Sequence, residues 1–137
     1  MAKIRHIAIA TQNPDETARF YVEVLGLQQI GKLNSPVVTG YYLTDGTINL
    51  AILQFKTDQV AGVERGKEWS GIHHIGFEVE SLEDIAAKLA AAGCSPRDDI
   101  NRALRMGIAS APRSGHDDVS PTGWRTAGSG RPQSSET

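Results

Sequence analysis

The chain has 137 residues, with 14 basic and 16 acidic side chains and a formal net charge of −2. Because the charges are mixed and nearly balanced, the sequence does not predict binding to nucleic acid or to a membrane surface. The length suits one domain with a hydrophobic core. A single cysteine, Cys94, excludes an internal disulfide and a zinc site made of cysteines.

Membrane and secretion signals are the next features that the sequence can exclude. It contains no apolar run of about 18 residues, the length that a membrane-spanning helix needs. No signal-peptide pattern follows Met1. The sequence therefore predicts a soluble cytoplasmic protein with no membrane partner.

The first 26 residues predict a strand followed by a helix. Residues 4–10 are short, apolar and rich in isoleucine, as in a buried strand. Asn13, Pro14 and Glu16 then supply an N-cap side chain, a proline at the first helical position and the second member of a capping box. Apolar residues recur at helical spacing up to Gly26, which predicts a helix of about 13 residues with a glycine after its C-terminus.

Three further strands and a loop are predicted between this helix and residue 70. The strand-like segments are residues 27–33, 37–43 and 47–55, and Asp45-Gly46 is a hairpin signal between the last two. Residues 56–70 are predicted to form a polar loop.

The next segment repeats the first strand and helix. Residues 71–79 read GIHHIGFEV, and a second capping box begins at Ser81 before a helix that ends near Gly93. His74 lies 68 positions after His6, and the same offset matches the neighbouring apolar residues. An internal duplication of this kind indicates two copies of one structural unit.

The repeat separates the two adjacent histidines. Neighbours on a regular strand point to opposite faces of the sheet. His74 is the counterpart of His6, so these two side chains are predicted to share one concave face. His73 is predicted to lie on the helix side or at the strand edge, away from any site that His74 lines.

The quoted segments resemble a known superfamily. HIAIATQNPDETARFYVEVLG and GIHHIGFEVESLEDIAAKLAAAG are similar to the vicinal oxygen chelate group, which includes glyoxalases, bleomycin-resistance proteins and dioxygenases. The resemblance implies an α+β fold in which two βαβββ modules form a cupped mixed sheet. We expect one domain over residues 1–125, with modules at 3–55 and 71–125 and a flexible tail at 126–137.

The second module is predicted to be incomplete. Residues 98–106 indicate a short helix or turn, and the chain from residue 112 onward is rich in Ser, Gly, Pro, Arg and Thr. Such a composition is typical of flexible segments rather than of three strands.

The resemblance also implies a metal site. Members bind one divalent metal ion through the first-strand histidine of each module, which correspond here to His6 and His74. Residues 114–124 resemble the acidic ending of the last strand, and Asp118 then takes the carboxylate position. Two imidazoles and one carboxylate suit Fe, Mn, Ni, Co or Zn.

Two other residues are predicted to contact the substrate or a metal ligand. Asn49 stands where glyoxalase I has glutamate and methylmalonyl-CoA epimerase has glutamine. An amide is a weak ligand and cannot act as a general base. Tyr42 lies on the middle strands, where the epimerase has an acidic base. No catalytic residue is therefore assigned.

Three functions remain open at this point. The first is a glyoxalase-like lyase or isomerase that uses a metal-stabilised enolate or enediolate of a small oxygen-chelating substrate. The second is an extradiol-type dioxygenase with a two-histidine, one-carboxylate Fe(II) site. The third is a non-catalytic binding protein of the bleomycin-resistance kind. For each, we expect a small-molecule partner and a homodimer.

Overall fold

A computed structural model describes residues 1–109 of the protein, with side chains up to Leu104. Five strands and four helices form along this part of the chain. In order, they are β1 (Lys3–Ala10), α1 (Pro14–Glu23), β2 (Gln28–Asn34), β3 (Val38–Thr44), β4 (Asn49–Phe55), α2 (Asp58–Ala61), β5 (Gly71–Glu78), α3 (Leu82–Ala91) and α4 (Asp98–Ala109).

The five strands form one mixed sheet in the order β2-β3-β4-β1-β5. β1 pairs in parallel with β4 and antiparallel with β5, and the remaining neighbours are antiparallel. The predicted α+β class is therefore confirmed. The predicted incompleteness of the second module concerns residues 95–125. Residues 98–109 of this segment form α4, and the part from residue 110 onward lies outside the described residues.

The predicted capping signals start α1 and α3. The side chain of Asn13 accepts a hydrogen bond from the backbone N–H of Glu16 at the start of α1, and Ser81 accepts one from Asp84 at the start of α3. α1 is shorter than predicted, with 10 residues, because Val24 is already its C-cap. Among the helices of residues 1–109, none is long and apolar enough to cross a membrane.

The segment predicted as a polar loop contains the short helix α2. Thr57 is its N-cap and accepts a hydrogen bond from the backbone N–H of Val60. Val60 and Ala61 are buried. A helix of four residues has too few positions to produce a periodic apolar pattern, so the sequence did not reveal it.

The sheet has an apolar layer on each face. α1 covers one face, where Ala18 packs with Leu43 and Ile52. On the other face, α2 and α4 cover alanines and larger apolar side chains of β1 and β4. Ile100 and Leu104 of α4 are almost fully buried there, and burial of each stabilises the fold by about 1.5–3 kcal/mol.

An ion-pair cluster links the start of α4 to the segment after α2. Arg97 donates hydrogen bonds to both carboxylate oxygens of Glu64, at 2.6 and 3.0 Å, and also to Asp99. These hydrogen bonds to Arg97 lower the pKa of Glu64 and of Asp99. Arg97 therefore helps to hold the start of α4 against the segment that follows α2.

We expect Arg97→Gln to lower the free energy of unfolding at pH 7 by roughly 0.5–1 kcal/mol, because both carboxylates are about half exposed. Carboxyl groups with a lowered pKa in the folded state stabilise it above their unfolded pKa values. That contribution is lost as the pH falls through the folded values, below about pH 4.5.

The measurement is urea unfolding in steps between pH 7 and pH 2.5. Arg102→Gln is the matched control, since it removes an exposed guanidinium from α4, five residues after Arg97. A difference between wild type and Arg97→Gln that is equally large at every pH contradicts the prediction.

Candidate functional site

His6 and His74 lie next to each other across the β1–β5 pair. The Cα of His6 is opposite Gly76 and that of His74 is opposite Ala8, so the two histidines are diagonal neighbours. Both are buried, and their rings are stacked with centroids 5.1 Å apart. Their Nε2 atoms are 3.2 Å apart. The prediction that these side chains share one face is therefore correct.

Asn49 contacts the other side of the His6 ring. It lies on β4, directly opposite His6 in the parallel β1–β4 register. Its Oδ1 is 3.1 Å from Nδ1 of His6. With the amide turned so that its carbonyl oxygen faces the ring, Asn49 accepts, and Nδ1 of His6 carries the proton and donates it. Nε2 of His6 is then the nitrogen that can bind a cation.

His73 was predicted to point away from the site, and that prediction is wrong. The register passes from Ala8↔His74 to Ile9↔Ile72, which leaves His73 as the extra residue of a β-bulge. A bulge interrupts the alternation of side chains along a strand. His73 and His74 are consequently both buried, and their Nδ1 atoms are 2.9 Å apart.

The second nitrogen of His73 also has a hydrogen-bond partner. Its Nε2 is 2.6 Å from the backbone carbonyl oxygen of Ala61 in α2. The ring packs against Phe55, with centroids 4.5 Å apart, and meets Trp69 edge-on. The continuous run of contacts is therefore Ala61, His73, His74, His6 and Asn49.

The two histidines fit a metal ion as neighbouring ligands. Two nitrogens bound to one ion at about 2.0–2.1 Å lie roughly 2.9–3.4 Å apart, depending on whether the angle is octahedral or tetrahedral. The observed Nε2–Nε2 distance of 3.2 Å lies within this range. Within residues 1–109, however, no group of three or more His, Cys, Asp or Glu side chains is arranged to hold a metal ion.

The other predicted site residues are not at this contact. A row of paired residues crosses the sheet between Tyr42 and His74: Tyr42 on β3 pairs with Ala51 on β4, Ala51 pairs with Ala8 on β1, and Ala8 pairs with His74 on β5. The backbone of Tyr42 is thus three strand spacings from His74, or about 14 Å. Asp118 lies outside the described residues.

The face of the sheet beside the histidines is filled rather than open. Ile100 and Leu104 of α4 belong there to one buried apolar cluster with Val60 of α2 and the alanines of β1 and β4. Tyr42 is part of the same apolar layer. The predicted concave face therefore carries an apolar cover next to the two histidines.

A surface cavity of about 360 Å³ lies elsewhere, at the start of α1. The hydroxyl of Tyr41 lines it and donates a hydrogen bond to Asp15, which raises the pKa of Tyr41. Tyr41 lies on the face that α1 covers. His6, His74 and Asn49 do not line this cavity.

Similar structures have been solved. A hypothetical protein from Bacillus halodurans is 26% identical, with a TM-score of 0.59 over 72% of this chain and 73% of its own. Methylmalonyl-CoA epimerase from Streptomyces coelicolor, in complex with 2-nitronate-propionyl-CoA, is 25% identical, with a TM-score of 0.56 over 68% and 73%. A methylmalonyl-CoA epimerase in complex with methylmalonyl-CoA and NH4+ is also 25% identical, with a TM-score of 0.57 over 69% and 72%.

Sequence comparison agrees with this structural similarity. No curated protein matches the chain significantly. The sequence profile of the glyoxalase group, in contrast, matches residues 3–125 and therefore nearly all of the chain. The protein belongs to the Glyoxalase/Bleomycin resistance protein/Dioxygenase superfamily.

Proposed function

We propose that this protein is a metal-dependent isomerase or lyase of the superfamily and acts on a small oxygen-chelating substrate. The observation that carries the proposal is the convergence of Nε2 of His6 and Nε2 of His74, 3.2 Å apart in a buried position. Imidazole nitrogens that converge in this way are typical ligands of divalent transition metals.

His6 and His74 are the proposed ligands of one divalent ion, and Asp118 is the proposed third. Asn49 is given a different role. Because its Oδ1 accepts the Nδ1 proton of His6, we propose that it orients the ligand ring rather than binding the metal. The identity of the metal stays open among Fe, Mn, Ni, Co and Zn.

The bound ion would act as a Lewis acid towards the oxygens of a substrate. The chain's own residues hold the two imidazoles in place through Asn49 and His73, and Ile100 and Leu104 belong to the buried apolar cluster on the same face of the sheet. The similarity to methylmalonyl-CoA epimerase makes a methyl-branched acyl-CoA ester the first substrate class to test.

Metal binding provides the first test. We expect His6→Ala and His74→Ala each to weaken binding of Zn²⁺ or Co²⁺ by at least about 100-fold, because each variant removes one ligand and leaves its partner alone. The measurement is chelator competition with the full chain. Gln54→Ala is the control, since it removes an amide from β4 that contacts the backbone of Gln12 instead of a histidine. Equal affinity in all four proteins contradicts the proposal.

Activity is tested on the metal-loaded chain. The expected result is exchange of the α-hydrogen of methylmalonyl-CoA with deuterium in D2O, followed by mass spectrometry, with no exchange in His6→Ala. Oxygen uptake with a catechol on the iron-loaded protein would instead favour a dioxygenase. Tight binding of the ester without exchange would favour a non-catalytic binding protein.

We also propose that the protein forms a homodimer. Within residues 1–109, β5 is an edge strand of the five-stranded sheet, and Ile72 and Phe77 on it are exposed. None of the residues of α3 is buried, although the helix has an apolar stripe. An exposed strand edge and an exposed apolar stripe are surfaces that a second protein chain can cover.

Light scattering of the full chain tests the assembly. The expected mass is twice the 14.7 kDa of one chain. Phe77→Lys is expected to shift the mass towards that of one chain, because it places a charge on the exposed apolar surface of β5. A wild-type mass of one chain over the accessible concentration range contradicts the proposal.

A further inference from the structure

We propose that His73 is a positioning residue, which fixes the orientation and the protonated nitrogen of His74 through a hydrogen-bond relay to the carbonyl of Ala61. The inference rests on the function proposed above, in which His74 binds a metal ion. His73 thereby gains a role at the site, although strand alternation had predicted that it lies away from it.

The positions of the protons follow from the last member of the relay. The carbonyl oxygen of Ala61 only accepts, so Nε2 of His73 carries a proton and donates it over 2.6 Å. Nδ1 of a neutral His73 is then an acceptor. The Nδ1 atom of His74, 2.9 Å away, must donate to it.

The consequence for His74 mirrors the effect of Asn49 on His6. With its proton on Nδ1, His74 presents Nε2 as an acceptor. His6 does the same, because its own Nδ1 proton is donated to Asn49. Two acceptor nitrogens thus face each other at 3.2 Å, an arrangement that a cation stabilises.

The relay is held in place by the bulge in β5. The backbone carbonyls of Ile72 and His73 accept hydrogen bonds from one terminal nitrogen of Arg65, at 3.3 and 3.0 Å. The Arg65 guanidinium lies over the ring of Trp69, 4.3 Å from its centroid. Carbonyls at the bulge are therefore bonded by a side chain, and the bulge can persist with both histidines buried.

His73 is better suited to positioning than to binding the ion itself. Both of its ring nitrogens are within hydrogen-bond distance of other groups, Ala61 on one side and His74 on the other. Its ring is packed against Phe55, and the residue as a whole is only 8% exposed. The ring is therefore restrained in the orientation that the relay requires.

A matched pair of amide variants tests the proposal. His73→Asn places an amide oxygen near the position of Nδ1 and can still accept from His74. His73→Gln reaches the position of Nε2 and can still donate to Ala61, but it has no acceptor at the δ position. His73→Phe keeps the aromatic packing and removes both hydrogen bonds.

Two readouts are needed, both on the full chain. The first is Zn²⁺ affinity by chelator competition. We expect His73→Gln and His73→Phe to bind about 10–100-fold more weakly than wild type, and His73→Asn to bind within a few-fold of it. The second is the ring ¹⁵N NMR spectrum of His74 without metal. We expect one tautomer, with the proton on Nδ1, in wild type and His73→Asn, and a mixture in the other two variants.

The outcomes separate the two proposals. Failure of wild type to bind Zn²⁺ overturns the proposed function. A wild-type chain that binds Zn²⁺, with His73→Gln binding equally well and His74 keeping its tautomer, overturns the role of His73 alone. If His73→Phe does not fold, as judged by circular dichroism, the comparison of His73→Asn with His73→Gln decides the question.

Discussion

The antiparallel pairing of β1 with β5 is the constraint on which the site depends. A shift of this register by one residue would move His6 and His74 to opposite faces, because side chains alternate with a period of two. The observed register makes the histidines diagonal neighbours, and Gly76 opposite His6 has no side chain to intervene. The convergence of the two Nε2 atoms is therefore set by backbone hydrogen bonds rather than by loops.

The bulge at His73 is a second feature of the backbone that determines the geometry of the site. It allows two consecutive residues to be buried together, so that the relay from Ala61 reaches His74. Asn49 contacts His6 from the opposite side, across the parallel register of β1 and β4. His6 and His74 thus each have an outer partner that contacts Nδ1, Asn49 on β4 for His6 and His73 on β5 itself for His74.

The shared face of His6 and His74 was predictable because a repeat and a strand period are local features of a sequence. Asn49 was predicted as a site residue from the resemblance to the superfamily. The role of His73 was not predictable, since a bulge depends on how two distant strands align, and neither strand carries a signal for it alone. The short helix α2, which supplies the Ala61 carbonyl, was missed because four residues are too few for a period.

The apolar cover from α4 was the other feature beyond the reach of sequence patterns. A helix or turn was expected near residues 98–106, but nothing local indicates which face of the sheet it covers. Ile100 and Leu104 pack beside β1 and β4, on the face of the histidines. Access of a substrate to His6 and His74 therefore depends on where α4 lies as well as on the strands.

The most direct test of the central claim is a crystal structure of the full chain soaked with Zn²⁺, with anomalous diffraction used to locate the metal. The account predicts one strong peak at about 2.0–2.1 Å from Nε2 of both His6 and His74. A well-ordered crystal in which Zn²⁺ occupies other positions, with no peak within bonding distance of either nitrogen, would contradict it.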